Sequence, residues 1–585
     1  MATNAAGCWQ ALAQTKEQSI LNSIPEKWRI STPLPAPDKL PDCTGGYIQQ
    51  YLTPREIEIT EADAVFITEQ TTSGGWSSVQ VTEAFCHRAA LAHQMVNCLH
   101  EVFFDEALTT AKALDDYFVT HGKPMGPLHG LPVSLKDQFH IKGVETTMGY
   151  VGWIGTFEGK KDDVRARNFE SEMVKELRDL GAVLFCKSSV PTTLMAGETA
   201  NNIIGYTSNP RNRHLSSGGS SGGEGALIAL RGSPAGFGTD IGGSIRVPAS
   251  FNGIFGLRPS AGRLPYEGAA NSMDGQNTIL SVIGPMATTA RSLKLLMQSI
   301  LERRPWNHDP MVHELPWRSS VEKDLQGVVK ESPSMLTFAI LRHDEVVQPH
   351  PPVSRAVKSI EEILRRKGHQ IVDWCPPSHK IAHAIAKEAF QMDGGEDVLN
   401  NLALSGEPQL PQCFVAKSTH MTAAQISALN VRKRQYQKAY LDYWNSTSEC
   451  THSGRPVDAI ICPTAPHAAV IPGRFRHVGY TSFVNVLDLT SAVFPVTHAD
   501  KDQDLLSSTV SAGYPNRQHE DITLDSECKL FDLAKPQQNK LNFSSDDPFV
   551  YDGAPVGLQL IGRRLEEEKI LCLVEYISKS WSELS

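Results

Sequence analysis

The sequence predicts an α/β protein: a single large domain whose central mixed β-sheet is flanked by helices. Three observations carry that expectation. Short apolar runs of the buried-strand type recur at 182–186, 335–341, 459–462 and 554–561. Stretches with helical spacing lie between them, at 353–367, 423–444 and 566–581. The composition, 41% hydrophobic and 21% charged over 585 residues, is that of a globular chain able to bury a large core.

Taken in order, residues 1–54 are polar and proline-rich, with weak helical periodicity from Trp9 to Ile24. They read as an N-terminal arm docked on a domain spanning 55–585. Residues 60–120 read as helical, with Asp105 and Glu106 supplying acids to a first turn, where they suit the helix dipole. Residues 130–136 read as a strand ending in Lys136. Phe169, Met173, Leu177 and Leu180 fall on one helical face, and Gly181 can stop that helix. Residues 499–552 are polar and aperiodic, the pattern of a surface insertion.

Charge and cysteine usage exclude several classes. A net charge of −10 leaves no electrostatic footprint for nucleic acid or an anionic membrane. No run of about 18 apolar residues exists to span a bilayer. The first residues lack a basic-then-apolar leader, and the 11 cysteines are scattered without a C-x-x-C pair. A reducing, cytoplasmic setting is therefore expected, and the sequons at Asn445 and Asn542 read as chance matches.

The segment 216–263 is unlike the rest. Ser216 to Gly225 is almost entirely serine and glycine, and Gly236 to Pro248 is again glycine-rich. A flexible linker would not carry Glu224, Asp240 and Arg246, nor be bounded by apolar runs. The better reading is two backbone turns whose N–H groups converge on an anionic atom. The amides of Ile241, Gly242, Gly243 and Ser244 follow one another with little steric obstruction, as an oxyanion hole requires. Ser220 and Ser244 would face each other across the intervening helix and strand.

Other motifs fail in this segment and elsewhere. Gly218-x-Ser220-x-Gly222 spells the nucleophile elbow of α/β-hydrolases, but residues 209–217 are no strand. Cys186 stands where a phosphate-binding loop needs glycine before Lys187-Ser188, and Gly242 comes one residue late for a dinucleotide fingerprint beginning at Gly236. His379 and His383, with Glu388 nearby, could form a metal face, but no third ligand has motif context. Neither metal nor cofactor is expected.

Together the segments Gly218-Gly219-Ser220-Ser221-Gly222-Gly223 and Gly238-Thr239-Asp240-Ile241-Gly242-Gly243-Ser244-Ile245-Arg246-x-Pro248 resemble the core of the amidase signature family. The lysine segment ending Lys136-Asp137 matches as well, as do 458–464 and 553–562. The resemblance runs from about residue 55 to 580, and Gly256-Leu257-Arg258-Pro259 is similar to the fungal acetamidase and general amidase branch.

The resemblance implies the amidase signature fold and a Ser-Ser-Lys triad. Ser244 would be the nucleophile, Ser220 the bridging serine after a cis Gly219–Ser220 bond, and Lys136 the base. It implies hydrolysis of a carboxylic acid amide to a carboxylate and ammonia or an amine through an acyl-enzyme. Lysine titrates near 10.4 in water, and burial at the end of an apolar strand lowers that value. Ser221 would bond within its turn, Asp240 and Arg246 would brace the nucleophile turn, and Asp137 would form a turn. Leu194 and Met195 either line an acyl pocket or pack in the core. The same family contains biosynthetic and lipid-amide hydrolases and amidotransferase subunits, which remain the alternatives. A non-catalytic binding protein would have lost a triad member, and all three are present. A homodimer is implied by analogy alone.

Overall fold

The computed structural model describes residues 8–331, 336–505 and 548–584. Its strands are β1 (Leu99–Val102), β2 (Pro132–Lys136), β3 (Val183–Ser188), β4 (Ala200–Asn201), β5 (Gly205–Tyr206), β6 (Ala235–Asp240), β7 (Phe255–Arg258), β8 (Val282–Ala287), β9 (Thr337–Ile340), β10 (Gln370–Asp373), β11 (Ala459–Pro463), β12 (Ser491–His498) and β13 (Pro555–Ile561). Among the described residues, β4 and β5 pair by themselves. The other strands form one sheet in the order β1-β3-β2-β6-β8-β7-β12-β13-β11-β9-β10. β2 runs parallel to β3 and β6, and β9 runs parallel to β10 and β11. The remaining pairs are antiparallel, so the sheet is mixed as the sequence predicts.

The strands legible as apolar runs are those covered on both faces. β3, β9, β11 and β13 are buried at every residue, which removes the alternation of a half-wet strand. β6 and β8 are equally buried, but Gly236 and Gly238 in one and Gly284 and Pro285 in the other gave them the look of turns. The helical reading of 60–120 holds for three helices, the last with Asp105 and Glu106 in its first turn, and is corrected at one strand. Helices Ala64–Ser73, Ser78–Val96 and Phe104–His121 flank the edge strand β1, which Asn97, in the left-handed region at φ 54°, introduces. The helix placed around 169–180 is shorter, Glu172–Asp179. Phe169 lies ahead of it, and Gly181 at φ 85° follows it.

Residues 8–54 are built into the molecule. Helix Cys8–Asn22 sends Lys16 into a notch where its ammonium meets Glu101 and lies 2.7 Å from Glu145. Ile24, Trp28, Cys43, Ile48 and Leu52 join a core cluster with Cys86, Ala89 and Phe104. At the far end, β12 and β13 are antiparallel neighbours with His498 opposite Pro555, so the chain leaves and returns at one place. The Gly553 amide donates to Ala499 O at 2.9 Å, and Lys501 pairs with Asp552 at 3.0 Å. The body of the expected insertion, 506–547, lies outside the described residues, and the Asn542 sequon with it.

Candidate active site

The sheet order sets β3, β2 and β6 side by side, with the carboxyl ends of β2 and β6 pointing the same way. β2 therefore ends at Lys136 beside Thr239 and Asp240 at the end of β6. Two helices begin over these ends. Gly222–Ala229 follows the Ser220 turn, and Arg246–Asn252 follows the Ser244 turn. The two turns are joined directly, because the Ser221 amide donates to Ser244 O at 3.1 Å. The Gly219–Ser220 peptide is cis, as the resemblance implies.

Lys136 is fully buried, and its Nζ donates to Ser220 Oγ at 2.7 Å and to Thr239 Oγ1 at 2.8 Å. Thr239 passes its own proton to Gln138 Oε1 at 2.8 Å, and Gln138 donates to Tyr266 OH at 2.9 Å. Among the described residues, no carboxylate touches the ammonium. Burial lowers the Lys136 amine from its ordinary 10.5 to about 7, against the opposing pull of Asp240 and Glu224. A neutral amine in this place keeps one N–H for Thr239 and turns its lone pair to Ser220.

The Ser244 turn is the open edge of this buried assembly. Ile241, Gly242 and Ser244 are half-buried, whereas Asp240, Gly243, Ile245 and Arg246 are buried. Asp240 holds the turn from beneath. Its carboxylate accepts from the Gly243 amide at 2.8 Å, the Ile245 amide at 3.2 Å, Arg246 at 3.0 Å and Asn485 at 2.9 Å. Despite the desolvation of full burial, the Arg246 guanidinium keeps that carboxyl well below the usual range. Arg246 reaches on to Gln559 at 3.0 Å and Asn485 at 2.6 Å, which ties the turn to residues far along the chain.

One expectation is corrected. Gly243 was placed among the oxyanion donors, but its amide is already given to Asp240. On the other side of the same peptide, Gly242 O accepts from Thr481 Oγ1 at 2.6 Å. The peptide is thus held at both ends. Among the described residues, the amides of Ile241, Gly242 and Ser244 donate to no protein acceptor. Gly243 is needed for its backbone instead. It sits at φ 133°, and a Cβ there would lie 2.4 Å from Thr481 Oγ1.

Other sequence-predicted residues fall out as follows. Ser221 Oγ accepts from the Thr239 amide at 3.4 Å and tethers its turn to β6. Asp137 lies in the turn after β2, where the Phe139 amide donates to Lys136 O at 3.2 Å, and its buried carboxylate pairs with Lys187 at 2.6 Å and accepts from Thr147 at 2.7 Å. Leu194 and Met195 pack in an apolar cluster that Ile241 and Phe390 flank. A Cβ on Gly242 would lie 3.7 Å from the Phe390 ring. His379 stacks on Phe483 at 4.0 Å, and Glu388 pairs with Arg432, so neither points to a shared ion. Sequence reasoning missed Thr239, Gln138, Thr481, Asn485 and Gln559. Thr239 alone had a local signal, standing next to Asp240 at a strand end.

The site thus sets a buried lysine against a serine, beneath a turn with unspent amides. The chain belongs to the amidase signature family: the family described as Amidase matches residues 80–571. An acetamidase of Aspergillus oryzae is 45% identical over 577 residues, covering 98% of both chains. An acetamidase of Emericella nidulans is 41% identical over 574 residues, again with 98% of each covered. Among solved structures, a fatty acid amide hydrolase superposes with a TM-score of 0.86 at 34% identity, covering 98% of this chain and 95% of that one. The protein is a hydrolase of the amidase class, and among the described residues no helix is long and apolar enough to cross a membrane.

Proposed function

We propose that this amidase cleaves small carboxamides with Ser244 as nucleophile, Ser220 as proton bridge and Lys136 as base. The observation that carries the reading is the 2.7 Å contact between the buried Lys136 Nζ and Ser220 Oγ. As Ser244 Oγ attacks the amide carbon, its proton passes to Ser220 Oγ while the Ser220 proton passes to Lys136. The carbonyl oxygen takes up the negative charge against the amides of Ile241, Gly242 and Ser244, a type of stabilisation worth roughly 10²–10³ in rate per donor. The relay then reverses: the C–N bond breaks, and the nitrogen leaves as ammonia or amine with the proton Lys136 held. Water, deprotonated by the same route, attacks the acyl-Ser244 ester, releases the carboxylate and restores Ser244.

The acyl group would lie between Phe390 and the Leu194–Met195 cluster. The names of the two acetamidase relatives support a short acyl chain. The same reading takes residues 1–54 as a docked arm, 55–585 as the catalytic domain, the cytoplasm as the setting and a homodimer as the assembly.

The test is ammonia release from acetamide and benzamide by the purified protein, paired with Ser244→Ala. The wild type should turn over alone. The variant should lose turnover and labelling by a fluorophosphonate while keeping its circular dichroism. Activity that survives in the variant refutes the assignment.

A further inference from the structure

Glu224 is a fully buried carboxyl that the mechanism above does not use. It lies in the first turn of helix Gly222–Ala229, with Oε2 accepting from Ser134 Oγ at 2.7 Å and Oε1 from Ser188 Oγ at 2.9 Å. Ser233 Oγ lies 2.9 Å from Ser134 Oγ. The periodicities make this placement informative. Ser134 and Lys136 are two apart on β2 and share one face of the strand. Ser220 and Glu224 are four apart across the turn into the helix. The strand and the turn–helix unit therefore meet twice on one face: Lys136 with Ser220, and Ser134 with Glu224. The fit leaves no slack, since a Cβ on Gly236 would lie 2.3 Å from Glu224 Oε2 and 2.5 Å from Ser134 Oγ.

We propose that Glu224 is a positioning residue for Lys136: it locks the lysine strand against the Ser220 turn and supplies the countercharge for the ammonium that Lys136 becomes during acylation. The proposal rests on the triad reading given above. The surroundings leave Glu224 that role. The titratable groups acting on Lys136 are Asp240 from β6 and Glu224 from the helix. Asp240 is committed to Arg246, and Lys187 from β3 pairs with Asp137 after β2. Around Glu224 stand Ser134, Ser188 and, as charge, Lys136, together with the buried thiols Cys98 and Cys186. Among the described residues, Glu224 is thus the acid facing Lys136 that no other cation pairs with. Burial raises its carboxyl from 4.5 to about 7, toward the value to which Lys136 falls. Two such groups bind protons as a pair, with one proton shared between the arrangements Lys–neutral/Glu–neutral and Lys-ammonium/Glu-carboxylate.

The experiment is the pH dependence of kcat/KM and of fluorophosphonate labelling, for wild type, Glu224→Gln, Ser134→Ala and Lys136→Ala. Wild type should show a drawn-out acid limb, the mark of two coupled protons. Glu224→Gln removes the countercharge, so its limb should become a simple one-proton curve shifted down by about one pH unit, with kcat reduced and KM little changed. Ser134→Ala takes a donor from the carboxylate and should shift the limb the same way by less. It also carries the test if Glu224→Gln does not fold. A limb in either folded variant that superimposes on wild type overturns the proposal and leaves the triad standing, provided Lys136→Ala has lost the rate. Full activity in Lys136→Ala overturns the triad reading and the proposal together.

Discussion

Replacing Lys136 by methionine should abolish turnover and, near neutral pH, leave the protein at least as stable as wild type. The amine falls from 10.5 to about 7 on burial, which at about 1.36 kcal/mol per pH unit is about 5 kcal/mol. Between those two values the unfolded chain holds a proton that the native state has released, so wild-type stability rises with pH across this window. At pH 7, where about half of the native lysine is already neutral, burial still costs about 4 kcal/mol; near pH 10 little of that remains. Methionine removes the whole contribution and keeps most of the packing volume. Against this stands the donor lost to Ser220 and Thr239, about 1–3 kcal/mol for a buried group left unpaired, softened because Thr239 keeps Gln138. Glu224, deprived of its cation, stays protonated to higher pH and lowers the variant's stability further as pH rises, which is the same sign. Urea unfolding at pH 7 and pH 10 should therefore show the variant at or above wild type at the lower pH and about 1–3 kcal/mol below it at the higher. A stability difference that stays constant between the two would refute a neutral buried amine at position 136.

Gly243→Ala should lower kcat by roughly 10²–10³ without unfolding the protein, because the turn must shift off φ 133° and away from Thr481 and so misaims its free amides. Wild-type kcat in that variant, with the circular dichroism unchanged, would show that the turn tolerates a side chain. Thr481→Val keeps the shape but removes the hydroxyl that holds Gly242 O at 2.6 Å, so kcat should fall about tenfold or more with KM little altered. A change confined to KM would instead place Thr481 in substrate binding.

What could be read of the fold followed burial. β3, β11 and β13 were legible because strands covered on both faces are spelled as unbroken apolar runs. β1, β7 and β10 are four residues each, too short to separate from the helices and loops around them. β6 was legible only as an unbounded strand between the two serine turns: its glycines let Glu224 and Ser221 approach the strand, since a Cβ on Gly236 or Gly238 would strike one or the other. A strand that makes room for a site looks from its sequence like a turn. Thr481, Asn485 and Gln559 were invisible for another reason. They reach the nucleophile turn from 239, 245 and 313 residues away, distances that no local pattern encodes.

The misreading of Gly243 has the same root in geometry. Four consecutive amides in a glycine-rich turn look from the sequence like four equivalent donors. Successive peptide planes in a tight turn rotate, however, so the four N–H vectors cannot share one direction. One must point inward, and an inward amide needs a buried acceptor. Asp240 is that acceptor, and Arg246 keeps it ionised so that it can accept from Gly243, Ile245 and Asn485 at once. The inward amide thus fixes the orientation of the others. On the mechanism proposed above, the Asp240–Arg246 pair therefore belongs to the oxyanion site as firmly as the free amides do. Neutralising Asp240 would release the Gly243–Ile245 backbone before it affected any contact with substrate.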